Sequence, residues 1–182
     1  GGKIIIQGAQ TLAHVEQKQN DHGTSLFIKD LFFNTPVRLK FAKSQTSEKN
    51  AIKRVIESFI LANPHVAFSV KWDEQEKNIY PALDKEQYEK RIHQLYPKKF
   101  SSHELIHFQS DYDDHLVEGF FTTQTANSPS RLQFLFSNHR FFQDKSIHQA
   151  IVRAVEKNFF GESLGHYFVF ISSPPAEIDV NV

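Results

Sequence analysis

The chain contains no cysteine and no methionine. The first absence removes disulfides, thiolate zinc sites and cysteine nucleophiles together, and it fits a reducing compartment. The second extends to position 1, so the sequence reads as a segment of something longer, with a function shared across the cut. Glycine is scarce, seven in 182 residues, and none falls into a P-loop or a dinucleotide-binding turn. No Gly-x-Ser-x-Gly elbow frames the serines. No apolar run approaches the roughly 20 residues that cross a bilayer, and no signal peptide is visible. The formal net charge is zero, so no global field announces a partner.

What is present is a phenylalanine-rich core. Apolar residues make up 40% of the chain and eighteen are Phe, enough to fill one large domain or parts of two. Residues 2–7 and 24–33 read as strands, with a polar loop over 9–22 between them. A short helix is expected at 36–43. From Glu48 to Ala62 the apolar positions Ala51, Ile52, Val55, Ile56, Phe59 and Ile60 have helical spacing, one stripe facing a core. Residues 65–72 alternate as a strand, DEQEK after them is a turn, and a helix is expected over 84–95. The second half predicts strands at 103–109, 115–123, 131–137 and 140–143, with a hairpin turn at Ser137-Asn138-His139. A helix over 145–159 follows, with Ile147, Ile151, Val155 and Phe159 four apart. Strands at 166–172 and 177–182 close the chain. The pattern predicts a mixed α/β (α+β) domain with helices on one face of a sheet.

Charge is less even than its sum. From Arg38 to Arg54 six basic residues (Arg38, Lys40, Lys43, Lys49, Lys53 and Arg54) face the single Glu48, a net of +5. A second set, Arg131, Arg140, Lys145, Arg153 and Lys157, straddles the hairpin and the last helix. Such sets suit a groove for a phosphate backbone; the plainer reading is a solvated helix face.

Residues 103–107 read His-Glu-Leu-Ile-His, matching the H-E-x-x-H pattern of zinc peptidases. On a helix, His103 and His107 share a face, and Asp113 falls where the extended motif places a third ligand. Ser110 stands where that motif wants Gly, no methionine exists for a Met-turn, and the stretch lies among strands. The strand reading prevails, and no metal site is expected.

One stretch turns sharply from apolar to basic. DLFFNTPVRLKF (30–41) runs from a strand end through Asn34-Thr35-Pro36 to Arg38 and Lys40. Thr35 can cap the next turn and Pro36 suits a first helical position. With the preceding Gly23-Thr24 and its alternating strand, residues 23–41 resemble the signature of the MutL mismatch-repair family. FLFSNHRFFQDKSIHQAI (134–151) resembles that family's strand, Asn-x-Arg turn and helix. EIDVNV (177–182) resembles the start of its terminal motif. The three blocks stand in order and span nearly the whole chain. The departures are His139, where the family usually has Gly, Leu39 in place of a second Arg, and His166, where a proline is common.

The resemblance implies a segment that ends an ATPase domain of the gyrase, chaperone, histidine-kinase and MutL superfamily (1–33). A transducer domain then follows (34–182), with the second-domain fold of a small-subunit ribosomal protein and a gyrase subunit. It implies that the parent protein binds ATP and magnesium, hydrolyses ATP weakly and dimerises through its ATPase domain. The motifs that hold the nucleotide lie outside this segment, so no cofactor and no catalysis are expected in it alone. Gly23 and Thr24 are then nucleotide-adjacent. Arg38, Lys40, Lys53, Arg54, Arg140 and Lys145 are candidates for non-specific contact with DNA. A mismatch sensor and downstream repair proteins are the implied partners, with no membrane association and a cytoplasmic location. A topoisomerase-type ATPase is the related alternative.

Overall fold

In a computed structural model, residues 2–16, 22–85, 87–100, 104–124 and 131–178 are described. They form two compact units, residues 1–50 and 51–182.

The first unit holds a hairpin of β1 (Gly2–Gln7) and β2 (Gln10–Glu16). Gln7 pairs with Gln10 across Gly8-Ala9, both at positive φ, the two-residue turn whose twist matches antiparallel strands. Part of the expected loop over 9–22 is therefore a strand. Pairing of its backbone with β1 decides this, not burial, since Gln10–Glu16 is almost wholly exposed. The strand expected over 24–33 is not formed. No ladder takes up its hydrogen bonds among the described residues. At Asp30, φ of 50° starts a turn that Phe33 closes by donating to the Asp30 carbonyl at 2.8 Å. Pro36 opens α1 (Pro36–Lys40) as expected, but the Thr35 side chain makes no cap bond; only its carbonyl accepts, from Arg38.

Helix α2 (Gln45–Ala62) starts three residues earlier than its apolar pattern suggests. Ser44 accounts for this, accepting from the Ser47 amide at 3.3 Å, while Glu48 accepts from the Lys43 amide at 2.8 Å. Such bonds satisfy donors that a helix start leaves orphaned. The stripe expected to face a core is divided. Ile60, Leu61 and Ala62 are buried, whereas Ile52, Val55 and Phe59 are 52%, 52% and 59% exposed.

In the second unit, β3 (Phe68–Val70) pairs with β4 (Asn78–Tyr80), the latter unread in the sequence. Helix α3 (Tyr88–Leu95) follows. Its Arg91 is fully buried and donates to the carbonyls of Pro64 and Val66 and to Gln94. The sheet is built from β5 (Ile106–Tyr112), β6 (His115–Gln124), β7 (Gln133–Ser137), β8 (Arg140–Phe142) and β9 (Ser163–Ser172), in the order β5-β6-β9-β7-β8. Only β7 and β9 run parallel, joined by β8 and α4 (Lys145–Asn158).

Both faces of this sheet are covered, which corrects the expectation of one. Phe120, Phe134, Phe136, Phe168 and Phe170 pack with Leu61, Ala62, Tyr88 and Ile92. Residues of opposite parity, Phe121, Leu135, Tyr167 and Val169, pack with Ile147, Ile151, Val155 and Phe159 of and after α4. The central strands reveal the reason: Leu164–Phe170 is buried without interruption, as a strand must be when both faces meet helices. The closing strand expected over 177–182 falls outside the described residues from 179 onward, and Glu177 ends a single 3₁₀ turn, Pro175–Glu177.

Candidate nucleic-acid interface

The hairpin β7–β8 turns at Asn138 and His139, with φ of 43° and 66°. Each side chain compensates for the missing glycine. Asn138 donates through Nδ2 to the Ser173 carbonyl at 2.8 Å and accepts from the Ser173 amide at 2.9 Å. His139 donates from Nδ1 to the carbonyl of Ala62 at 2.7 Å, at the end of α2. The turn is thus clamped on two sides, and it presents Arg140, exposed, as the first residue of β8.

Lys145 is exposed and opens α4. The preceding Asp144 is the N-cap, its carboxylate accepting from the Ile147 amide at 2.8 Å. From Lys145 the exposed residues Gln149, Arg153 and Lys157 recur every four positions, a line that drifts by about 40° per step around a helix of 3.6 residues per turn. The apolar residues of the helix face the sheet, so this line of cations points away from it.

The α2 cations divide. Lys53 is exposed and 3.8 Å from Glu57; burial raises the Glu57 carboxyl above its ordinary range, and Lys53 opposes that rise. Arg54 is turned inward. Its Nη2 donates to the Gln133 carbonyl at 2.8 Å, and its guanidinium lies 5.0 Å and 5.4 Å from the Phe134 and Phe141 ring centres. It joins α2 to the sheet and has little left to offer a phosphate. Arg38 and Lys40 are exposed on α1 in the first unit.

Gly23 and Thr24 lie in the irregular stretch of that unit. They line an open recess of about 1570 Å³ together with Ile4, Leu12, Phe27 and Phe33. Gly23 has φ of 139°, a conformation that side chains disfavour.

His107 lies on a strand, not the helix that the zinc motif needs, and its Nε2 faces Glu118 Oε1 at 3.2 Å. His103 lies outside the described residues. Among the described residues no helix is long and apolar enough to cross a membrane.

The fold has known counterparts. The chain is similar to the solved ATPase domain of MutL from Aquifex aeolicus complexed with ADP (TM-score 0.61, 21% identity). The match covers 94% of this chain and 61% of that one. A solved N-terminal domain of a DNA repair protein gives a TM-score of 0.56 at 19% identity, covering 83% of this chain and 50% of that one. These likenesses define the fold, the one shared with those two solved domains.

Sequence narrows it further. Residues 92–182 match the family described as DNA mismatch repair protein, C-terminal domain. The mismatch repair protein MutL of Elusimicrobium minutum is 31% identical over 187 residues, and that of Phocaeicola vulgatus 35% over 184. Each match covers 100% of this chain but only 30% and 29% of the relative. The chain belongs to the MutL family of DNA mismatch repair proteins.

Proposed function

We propose that this chain is the stretch of a MutL-type protein in which an ATPase domain, ending near residue 33, gives way to a transducer domain. The transducer lays cations against the phosphate backbone of DNA. The parent protein binds ATP with magnesium, dimerises through its ATPase domain and passes the signal of a mismatch sensor to downstream repair proteins. Gly23 and Thr24 sit on the nucleotide side of that arrangement. This segment supplies DNA contact and coupling, not chemistry.

The observation that carries the DNA reading is the exposed line Lys145, Arg153 and Lys157 on a helix whose other face is in the core, with exposed Arg140 on the strand before it. Arg38, Lys40 and Lys53 are exposed and join the candidates; Arg54 supports the sheet instead. Contacts of this kind neutralise phosphates and release counterions, so affinity is insensitive to base sequence and falls steeply with salt. The test is a salt titration of duplex binding in the full-length protein. Lys145→Glu is expected to weaken binding and to lower the slope of log affinity against log salt by about 1. Lys85→Glu, beside Asp84 and Glu89, is expected to do neither. Equal behaviour of the two variants at low salt would overturn the assignment.

A further inference from the structure

The turn that presents Arg140 is bonded to the chain that leaves the sheet. The last parallel pair of β7 and β9 is Ser137 with Ile171. Beyond it the backbone of β7 turns away, yet the ladder continues. The Asn138 amide donates to the Ile171 carbonyl at 2.9 Å, and the Asn138 carboxamide bonds both backbone groups of Ser173. The side chain thereby stands in for the next residue of a strand. Ser173 passes the connection on. Its Oγ lies 2.9 Å from Nδ1 of His115, the first residue of β6. Nε2 of the same ring donates to Glu177 Oε2 at 3.1 Å. Asn138, Ser173, His115 and Glu177 form one hydrogen-bonded series. It begins two residues from Arg140 and ends on the 3₁₀ turn that carries the chain away from β9.

We propose that this series is a latch: engagement of a DNA phosphate by Arg140 tightens it and fixes the path of residues 173–178. The proposal rests on the DNA reading above and adds a regulated element to it. Asn138 and His115 are positioning residues, not contacts. Three features support coupling. Asn138 and His139 both occupy the left-handed region, so the turn has few alternative conformations through which to absorb a displacement. The Asn138 carboxamide has no slack, because one face donates and the other accepts from the same residue. Among the described residues the 3₁₀ turn is otherwise lightly held, by a Glu177 amide bond of 3.0 Å and an Ile178 amide bond of 3.4 Å, both within the turn itself. His115 to Glu177 ties this turn back to the sheet. A ligand moves such an element only as far as it binds its two arrangements differently, and the coupling is reciprocal.

Hydrogen exchange across residues 170–178 of the full-length protein, with and without a DNA duplex of arbitrary sequence, tests the latch. The duplex is expected to slow exchange at Ser173, Glu177 and Ile178 by about fivefold or more, the low end of usual coupling free energies. In Asn138→Ala, at duplex concentrations that saturate the variant, the protection is lost. Asn138→Asp, which keeps the acceptor for the Ser173 amide, restores part of it. His115→Ala severs the far end, removing protection at Glu177 and Ile178 while leaving it at Ser173; this variant leaves the turn intact and serves if Asn138→Ala does not fold. Duplex binding with unchanged exchange in the wild type would overturn the latch and leave the DNA reading standing. Equal protection in the wild type and Asn138→Ala would also overturn it. No duplex binding at low salt would overturn both.

Discussion

His139 donates a 2.7 Å hydrogen bond to the carbonyl oxygen of Ala62 from a backbone held at φ of 66°. The residue keeps an unfavourable conformation and satisfies an end carbonyl of α2 that the helix itself leaves open. The two effects are separable. His139→Ala loses the bond and keeps the strain, a loss of about 1–2 kcal/mol. His139→Gly loses the bond but relieves strain of about 1 kcal/mol, and is expected to lie close to the wild type. Urea midpoints in the order wild type, Gly, Ala check this; an Ala variant as stable as the Gly variant would show that the turn carries no strain.

His166 gives the fold a pH dependence. Its Nδ1 accepts from the Leu132 amide at 2.8 Å, which requires that nitrogen to be unprotonated. Burial lowers its pKa from 6.5, and Lys99 and Arg131 lower it further. A group whose folded pKa is depressed contributes stability that is present above the unfolded value, here 6.5, and lost as pH falls through the folded one. Unfolding free energy is therefore expected to drop as pH is lowered below 6.5. His166→Asn, which offers an acceptor but does not titrate, is expected to flatten that part of the profile.

Arg54 and Lys53 are adjacent in sequence and opposite in role. Arg54→Ala removes a hydrogen bond to Gln133 and contact with two Phe rings; a cost of about 2–3 kcal/mol is expected. Lys53→Ala removes an exposed ammonium from beside the part-buried Glu57 carboxyl and is expected to cost about 1 kcal/mol or less. Denaturant titration of both variants checks the contrast, and a harmless Arg54→Ala would place its guanidinium in solvent.

Gly119 is required by its neighbours, not by its backbone. A Cβ there would meet the Phe108 ring at 2.4 Å and the Phe168 carbonyl at 3.1 Å. Phe108 is paired opposite it across β5 and β6 and lies over the space. Gly119→Ala is expected to cost about 1–3 kcal/mol through overpacking. Added to Phe108→Ala, the same change should cost much less, because the ring has already gone. Additive losses in the double-mutant cycle would refute the contact.

Helix α4 was legible because it has one solvent face and one core face, so Ile147, Ile151, Val155 and Phe159 report its period directly. The strand at 24–33 was over-read for the converse reason: alternation describes a surface, while a strand also needs a neighbour for its backbone, which a pattern does not contain. Helix α2 misled by its apolar stripe, since Arg54, Ser58 and Leu61 take the inward positions and Ile52, Val55 and Phe59 remain exposed. The cationic character of the candidate site was visible in composition. Arg54 was counted with it because charge is a property of sequence, whereas the Gln133 carbonyl that occupies it is a partner 79 residues away. Asn138 and Glu177 stand in blocks that resemble the family, but Ser173 and His115 carry no motif, and the registers of β7 and β6 on β9 bring the four together.

The position of β9 has a consequence for how the protein is made. Among the described residues it is the last strand along the chain, yet it lies inside the sheet, with β6 against one of its edges and β7 against the other. Until Ser163–Ser172 has left the ribosome, β5–β6 and β7–β8 are two separate hairpins, each with an open edge and an uncovered row of Phe. Isolated hairpins are marginal in water, and open apolar edges invite association with other chains. The five-stranded sheet of the second unit therefore closes in one event, when β9 enters between two waiting halves, and a ribosome that stalls before residue 163 holds a chain whose core lacks its central strand.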